Sequence, residues 1–198
     1  MLFCSRFVRE LVFEERALQP CCNTHNIVVP SFSFAGGAVD MEAYIRHIAN
    51  VAQEIQKQNP QVCAGCPDLV PLSHSVCVPE LRFAVLSLNH HRHICNCRCV
   101  YCDLWKPGQH PRPIAILPAI QTLYEQDALE KNCAISWGGG ESTLLPDFEA
   151  TGRWLREHDY FQYVHTNALR HSAWIDEMLS TGGGKINISL DSGNAAAY

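Results

Sequence analysis

The sequence predicts an α/β fold built around a parallel sheet, and two observations carry that expectation. From about residue 81 onward, apolar runs of strand length alternate with segments of helical period. Such units pack as parallel strands joined by right-handed helical crossovers. The chemically unusual motifs also fall directly after the strands, in the loops where parallel α/β folds keep their chemistry.

Residues 1–79 form a small N-terminal region with its own cysteines. Its one well-marked element is a helix over 41–58. Asp40 is placed to cap it, and Met41, Tyr44, Ile45, Ile48, Ala52 and Ile55 form a stripe suited to core packing. Cys21-Cys22 and Cys63-Ala-Gly-Cys66 flank this helix, and Pro60, Pro67, Pro71 and Pro79 punctuate the exit.

The second region is 80–198. An apolar run over 81–88 predicts a buried strand, and a cysteine loop follows it. After Pro111 and Pro113 a helix is expected over 114–131, with Ile116, Ile120, Leu123 and Tyr124 as apolar positions. Pro118 argues for a start set back past it. Residues 133–137 are the second strand, cut off by Gly138-Gly139-Gly140. Pro146 opens a second helix to about 157, and 160–165 is the third strand. Ser172 caps a helix over 173–180, which stops at Gly182–Gly184. Residues 186–190 are the fourth strand, and 192–198 are expected to begin another helix.

A length of 198 residues suits one domain with an appendage, and 47% hydrophobic content is enough for a packed core. The net charge of −5 argues against a sequence-independent grip on nucleic acid, which needs clustered Lys and Arg. The eleven cysteines are the anomaly. Secreted chains pair theirs as disulfides; cytosolic chains use them on metals. An odd count fits pairing poorly, and Arg6, Arg9 and Glu10 interrupt what would be a signal-peptide core. No run nears the ~20 apolar residues that span a bilayer. The expected location is the reducing cytoplasm, with no membrane partner.

The cysteine loop reads Cys95-Asn-Cys-Arg-Cys99-Val-Tyr-Cys102. As CxxxCxxC it offers three thiolates, the soft ligands of an iron–sulfur cluster, and leaves a fourth iron without a protein ligand. An open iron is what a substrate-binding cluster needs. Cys97 is either a bystander or part of a zinc fragment, Cys97-x-Cys99-x-x-Cys102, with Cys63 and Cys66 as the second knuckle. His90, His91 and His93 read as loop polarity, with one of them able to tune a cluster. The glycine run serves equally as a plain turn, Asn167 as turn chemistry, and Ser189 and Asp191 as a helix cap. Cys133 reads as a core thiol.

CxxxCxxC after a first strand, with Tyr101 just before the last cysteine, resembles the radical S-adenosylmethionine (radical SAM) superfamily. The resemblance extends through Gly138-Gly139-Gly140-Glu141, Thr166-Asn167 and Ser189-Leu-Asp191 at three successive strand ends. Ser142 stands where many members have proline, and Ala168 where they have glycine. The resemblance implies an incomplete (β/α) partial TIM barrel over 80–198. It implies a [4Fe–4S] cluster on Cys95, Cys99 and Cys102, with S-adenosyl-L-methionine chelating the fourth iron. One-electron cleavage would then release methionine and a 5′-deoxyadenosyl radical that abstracts hydrogen from substrate. Gly139, Gly140 and Glu141 would meet the methionine ammonium. Tyr101 would lie near the adenine, Ser189 would contact the ribose or carboxylate, and Asn167 and Asp191 would complete the cofactor site. No further catalytic residue is assigned. The substrate is unknown, a peptide or a small molecule, and the electron donor would be a flavodoxin or ferredoxin. The family core has strands beyond these four, so the chain is expected to be a truncated member.

Cys21, Cys22, Cys63 and Cys66 are a candidate auxiliary site for a second iron–sulfur cluster or zinc. The sequence assigns no role to Cys4 or Cys77. The competing function is a non-enzymatic zinc-binding or electron-carrying module, which has no need of the glycine and Ser189 loops at strand ends.

Overall fold

The apolar run that precedes the cysteine loop becomes the middle strand of a seven-stranded sheet. The computed structural model describes residues 2–4, 6–14, 16–21, 30–34, 37–59, 61–71, 81–91, 93–102, 105 and 114–190. Cys22, Cys77, Lys106, Gly108, Asp191 and the helix expected over 192–198 lie outside the described residues.

In chain order the elements are β1 (Leu2–Phe3), a single helical turn α1 (Arg6–Arg9), β2 (Glu10–Phe13), β3 (Ala17–Gln19), β4 (Phe32–Ser33), α2 (Met41–Gln56) and β5 (Val70–Pro71). Then come β6 (Phe83–Leu88), α3 (Leu117–Glu125), β7 (Leu129–Trp137), a 3₁₀ turn (Ser142–Leu144), α4 (Phe148–Glu157), β8 (Gln162–Thr166), α5 (Ala173–Ser180) and β9 (Gly184–Ile188). The sheet order is β4-β3-β2-β6-β7-β8-β9, and β1 pairs with β5 in a separate ribbon. Pairing is parallel from β2 through β9 and antiparallel only at β2–β3 and β3–β4. The chain therefore has the expected α/β architecture, a partial β/α barrel with a mostly parallel sheet.

The three strands β2–β4 were not legible in the sequence. They are two to four residues long, too short to show alternation. Leu11, Val12 and Phe13 are all buried, because β2 lies inside the sheet with both faces covered.

The helices behave as their sequences require, with corrections at the ends. Asp40 caps α2, its Oδ1 accepting from Ala43 N at 2.9 Å. The buried face is Tyr44, Ile48, Val51 and Ile55, while Ile45 is 46% exposed. Spacing of four, three and four tracks one face, and Ile45, one residue on from Tyr44, is turned off it. In α3, Pro118 sits in the first turn, where its missing N–H is not needed. That helix stops at Glu125, short of the expected 131, because Asp127 turns left-handed at φ +54 and the chain enters β7 at Leu129. Tyr124 is exposed on its outer side and not in the core. Helix α4 begins at Phe148, two residues later than expected. Ser172 precedes α5 without a side-chain cap; its hydroxyl donates instead to Glu149 Oε1 at 3.0 Å and ties α5 to α4.

One polar side chain crosses the core. Buried Gln162 accepts from Trp137 Nε1 at 3.0 Å and donates to Gly152 O at 2.9 Å, so β7, β8 and α4 share a satisfied network. Gly152 also lets α4 approach α5: a Cβ there would sit 2.3 Å from Trp174 Nε1 and 2.6 Å from its ring. Gly→Ala in a helix normally stabilises by about 1 kcal/mol. Here Gly152→Ala is expected to destabilise by ~1–3 kcal/mol through overpacking, measurable by urea unfolding.

Candidate functional site

Parallel register brings four strand ends to one edge. Leu88 pairs with Trp137, Trp137 with Val164, and Thr166 with Ile188. The loops after β6, β7, β8 and β9 therefore leave the sheet side by side, and these loops carry the cysteines, the glycine run, Asn167 and Ser189.

The glycine run is shaped by the chain leading into the cysteines. A Cβ on Gly140 would lie 2.2 Å from Ile94 O and 2.6 Å from His91 O, both backbone atoms. Glu141 N donates to that same Ile94 O at 2.6 Å. Gly139 is exposed with φ +88, a conformation glycine adopts without penalty.

Glu141 is 1% exposed, and its carboxylate is committed inward. Oε1 accepts from Thr143 Oγ1 at 2.6 Å, Thr166 Oγ1 at 2.8 Å and Thr143 N at 3.3 Å; Oε2 accepts from Asn167 N at 2.8 Å. One side chain thus joins the β7 loop to the end of β8. Asn167, held there, donates from Nδ2 to Asn96 Oδ1 at 2.7 Å and reaches Cys95 Sγ at 3.9 Å. Cys97 N also donates to Cys95 Sγ at 3.4 Å. Ala168, at the family's glycine position, does adopt a left-handed φ of +58. Ser189 continues β9, its N donating to Thr166 O at 3.0 Å.

The cysteine loop is half-buried at Cys95, Cys97, Cys99 and Cys102. Cys99 O accepts from Cys102 N at 3.1 Å and from Trp105 Nε1 at 2.9 Å, which curls the loop back on itself. Burial, then the neighbouring Cys95 and Cys99, push the Cys97 thiol up, so it ionises less readily. Tyr101 is 66% exposed.

The sequence model of the radical SAM superfamily matches residues 90–197. This chain belongs to the radical SAM superfamily. Neither the search of curated proteins nor that of solved structures gave a match. Among the described residues of this radical SAM chain, no helix is long and apolar enough to cross a membrane.

The donor set suits the cluster that such a protein uses. Among the described residues, no three His, Cys, Asp or Glu side chains meet at the spacing of a single ion. A cubane places each thiolate on a different iron, so its ligands stand round a volume. Cys95, Cys99 and Cys102 lie on one loop, and Cys97 N and Asn167 Nδ2 donate to the first sulfur; such donors are the usual means of tuning a cluster.

Three features of the site escaped the sequence. His90 and His91 are buried, not surface polarity. Their rings meet edge to face at 4.9 Å. His91 Nε2 shares a hydrogen bond of 3.0 Å with the hydroxyl of Ser142, which explains why a hydroxyl suits the position where many relatives have proline. Thr143 and Thr166 serve Glu141, and Asn96 serves Asn167. No spacing rule announces the Thr166 and Asn96 pairs, since they form between separate loops, whereas Thr143 is a local cap two residues from Glu141.

Two predictions follow from this arrangement of buried groups. Glu141→Ala orphans the Thr143, Thr166 and Asn167 donors and is expected to cost about 3 kcal/mol or more in urea unfolding. Burial drives His90 down to about 4 and His91 to about 3, with His90 adding to the second shift. Unfolded histidines take protons near pH ~6.5. As pH falls below that value, the unfolded chain gains protons the folded chain refuses. Stability is therefore lost from pH ~6.5 downward, by up to ~1.4 kcal/mol per pH unit for each histidine. Unfolding midpoints between pH 7 and 5 check this, and His91→Gln is expected to flatten the dependence.

Proposed function

We propose that this chain is a radical SAM enzyme whose Cys95, Cys99 and Cys102 hold a [4Fe–4S] cluster beside a site for S-adenosyl-L-methionine. The observation that carries the reading is the convergence at Asn167. Its backbone N–H is fixed by Glu141 while its side chain reaches Asn96 and Cys95. The residues that bear the family motifs are thereby bonded to the loop that would hold the metal. Bound there, the cluster and cofactor supply reductive cleavage of the sulfonium and the hydrogen-abstracting radical that results.

The chain's own residues have separable tasks in this reading. Cys97 N–H and Asn167 Nδ2–H donate to the Cys95 sulfur and orient it toward the metal. Gly139, exposed and without a Cβ, offers its backbone to the methionine end of the cofactor. Glu141 acts at one remove, since its carboxylate is filled by Thr143, Thr166 and Asn167; it and Gly140 hold the turn in shape. Tyr101 presents an aromatic face beside Cys102 for the adenine, and Ser189 a polar group at the end of β9 for the ribose or carboxylate. Asp191 enters on its motif alone. Residues 80–198 are the cofactor-binding part, and 1–79 an accessory region. The reaction requires a one-electron donor of the flavodoxin or ferredoxin type, and the cysteine content suits a reducing cytoplasm. The substrate is a peptide or small molecule.

Anaerobic reconstitution with iron and sulfide tests the reading. The reduced protein is expected to give a paramagnetic resonance signal that shifts on adding S-adenosyl-L-methionine, with release of 5′-deoxyadenosine. Cys95→Ala, Cys99→Ala and Cys102→Ala each abolish the shift, and Cys97→Ala preserves it. A colourless protein holding only zinc would overturn the proposal.

A further inference from the structure

In the N-terminal region, Cys4 and Cys63 are buried with Val51 and Ile55 at the end of α2, and Cys66 packs against them. Cys21 is half-buried, two residues beyond β3. The polar atoms that packing leaves unexplained lie behind the cysteine loop instead. His90 and His91 are 2% and 1% exposed. Both ring nitrogens of His90, and Nδ1 of His91, are buried without a hydrogen-bond partner. A hydrocarbon ring of similar shape would fill the space without burying those atoms unmet. One nitrogen of the four is used. His91 Nε2 and the Ser142 hydroxyl share a bond of 3.0 Å between residues 51 apart in the chain.

That bond sits at a particular place. Ser142 follows Glu141 directly and opens the 3₁₀ turn. The His91 carbonyl accepts from Ile94 N at 2.9 Å, and Ile94 O accepts from Glu141 N at 2.6 Å. Gly140 lies against both carbonyls. Backbone contacts therefore hold the middle of the turn to the chain that leads into Cys95, and the imidazole holds its far end to the same stretch. The Glu141 carboxylate ties the turn elsewhere, to Thr166 and Asn167 at the end of β8.

We propose that His91 and Ser142 are a positioning pair, which sets the glycine turn for the methionine end of S-adenosyl-L-methionine through this one hydrogen bond. The ligand rests on the cofactor reading above; the bond does not. His90 has a different task. Its ring meets that of His91 edge to face at 4.9 Å and 71°, and neither of its nitrogens is used. It is the wall against which the His91 ring stands, a task any flat aromatic ring performs. The same substitution at the two adjacent histidines therefore has opposite consequences. His90→Phe removes two unmet nitrogens and keeps the wall. His91→Phe removes the one nitrogen in use and orphans the buried Ser142 hydroxyl.

His90→Phe, His91→Phe, Ser142→Ala and the His91→Phe, Ser142→Ala double variant of the full chain are compared in two measurements. Before metal is added, amide hydrogen exchange over 138–145 is expected to quicken about tenfold in the last three, the equivalent of one hydrogen bond, with a native circular-dichroism spectrum. His90→Phe exchanges as wild type. After anaerobic reconstitution, the S-adenosyl-L-methionine concentration that half-shifts the resonance signal is expected to rise about tenfold in the same three at unchanged iron content, and to stay at the wild-type value in His90→Phe. His91→Gln, whose amide reaches near the place of Nε2, restores most of both. The double variant is expected to be no worse than either single one, because a shared bond is lost once. Effects that multiply in the double variant would overturn the pair, as would a loss in His90→Phe equal to that in His91→Phe. Should His91→Phe not fold, Ser142→Ala carries the same expectation, and wild-type exchange and cofactor response in it would overturn the pair. A wild-type signal that ignores the cofactor would overturn the cofactor reading and this assignment together, whereas a responsive wild type with an equally responsive His91→Phe would overturn the pair alone.

Discussion

The Glu141 carboxylate lies buried between the ends of β7 and β8, and four donors from two loops fill it. Hydrogen bonds to such a group are worth about 1.5–3 kcal/mol each, and the cost of leaving the donors unmet is comparable. The carboxylate therefore decides where the β8 end can sit relative to the glycine run. Asn167 inherits its position from that bond, and the Asn96 and Cys95 contacts inherit theirs from Asn167. The contacts form a continuous chain from a buried acceptor to a half-exposed sulfur.

Backbone contact reinforces the same junction from the other side. Gly140 lies against the carbonyls of His91 and Ile94, and Glu141 N closes onto Ile94 O. His90 and His91 sit neutral in the space behind, where desolvation outweighs the pull of Asp147 on His90. The His91–Ser142 bond satisfies one of the ring nitrogens. The cysteine loop thus has a dry, tightly packed stem and a half-exposed tip. A stem of this kind fixes the course of the loop and leaves its tip accessible.

The N-terminal region is bound into this framework. Leu11, Phe13, Leu18, Phe34, Tyr44 and Ile48 belong to the same apolar core as the strands from β6 to β8. Phe13 meets Phe34 edge to face at 5.3 Å, and Tyr44 meets Phe83 at 6.2 Å. Val51 and Ile55, further along α2, turn to a second, smaller core with Cys4 and Cys63. One helix therefore holds the sheet on its first turns and the thiol group on its last.

Much of this was legible in the sequence, for identifiable reasons. Apolar runs marked β6 and β7 because strands buried on both faces need unbroken hydrophobicity, and the period of α2 and α3 marked most of their core faces, Ile45 and Tyr124 excepted. The spacing of Cys95, Cys99 and Cys102 is a local property, as is Gly138–Glu141, so both could be read in one dimension. Tertiary structure alone decided the rest. The short strands β2–β4 exist because each finds a partner in the sheet, β2 on β6, β3 on β2 and β4 on β3, not because their own pattern demands it. The burial of His90 and His91, the inward turn of Glu141 and the meeting of Cys4 with Cys63 each join residues far apart in the chain. Sequence determined which chemistry each loop carries, because residue type and spacing are written locally. Only the fold decided which of those groups face a ligand and which face one another, because that depends on sheet register and on the satisfaction of buried polar atoms.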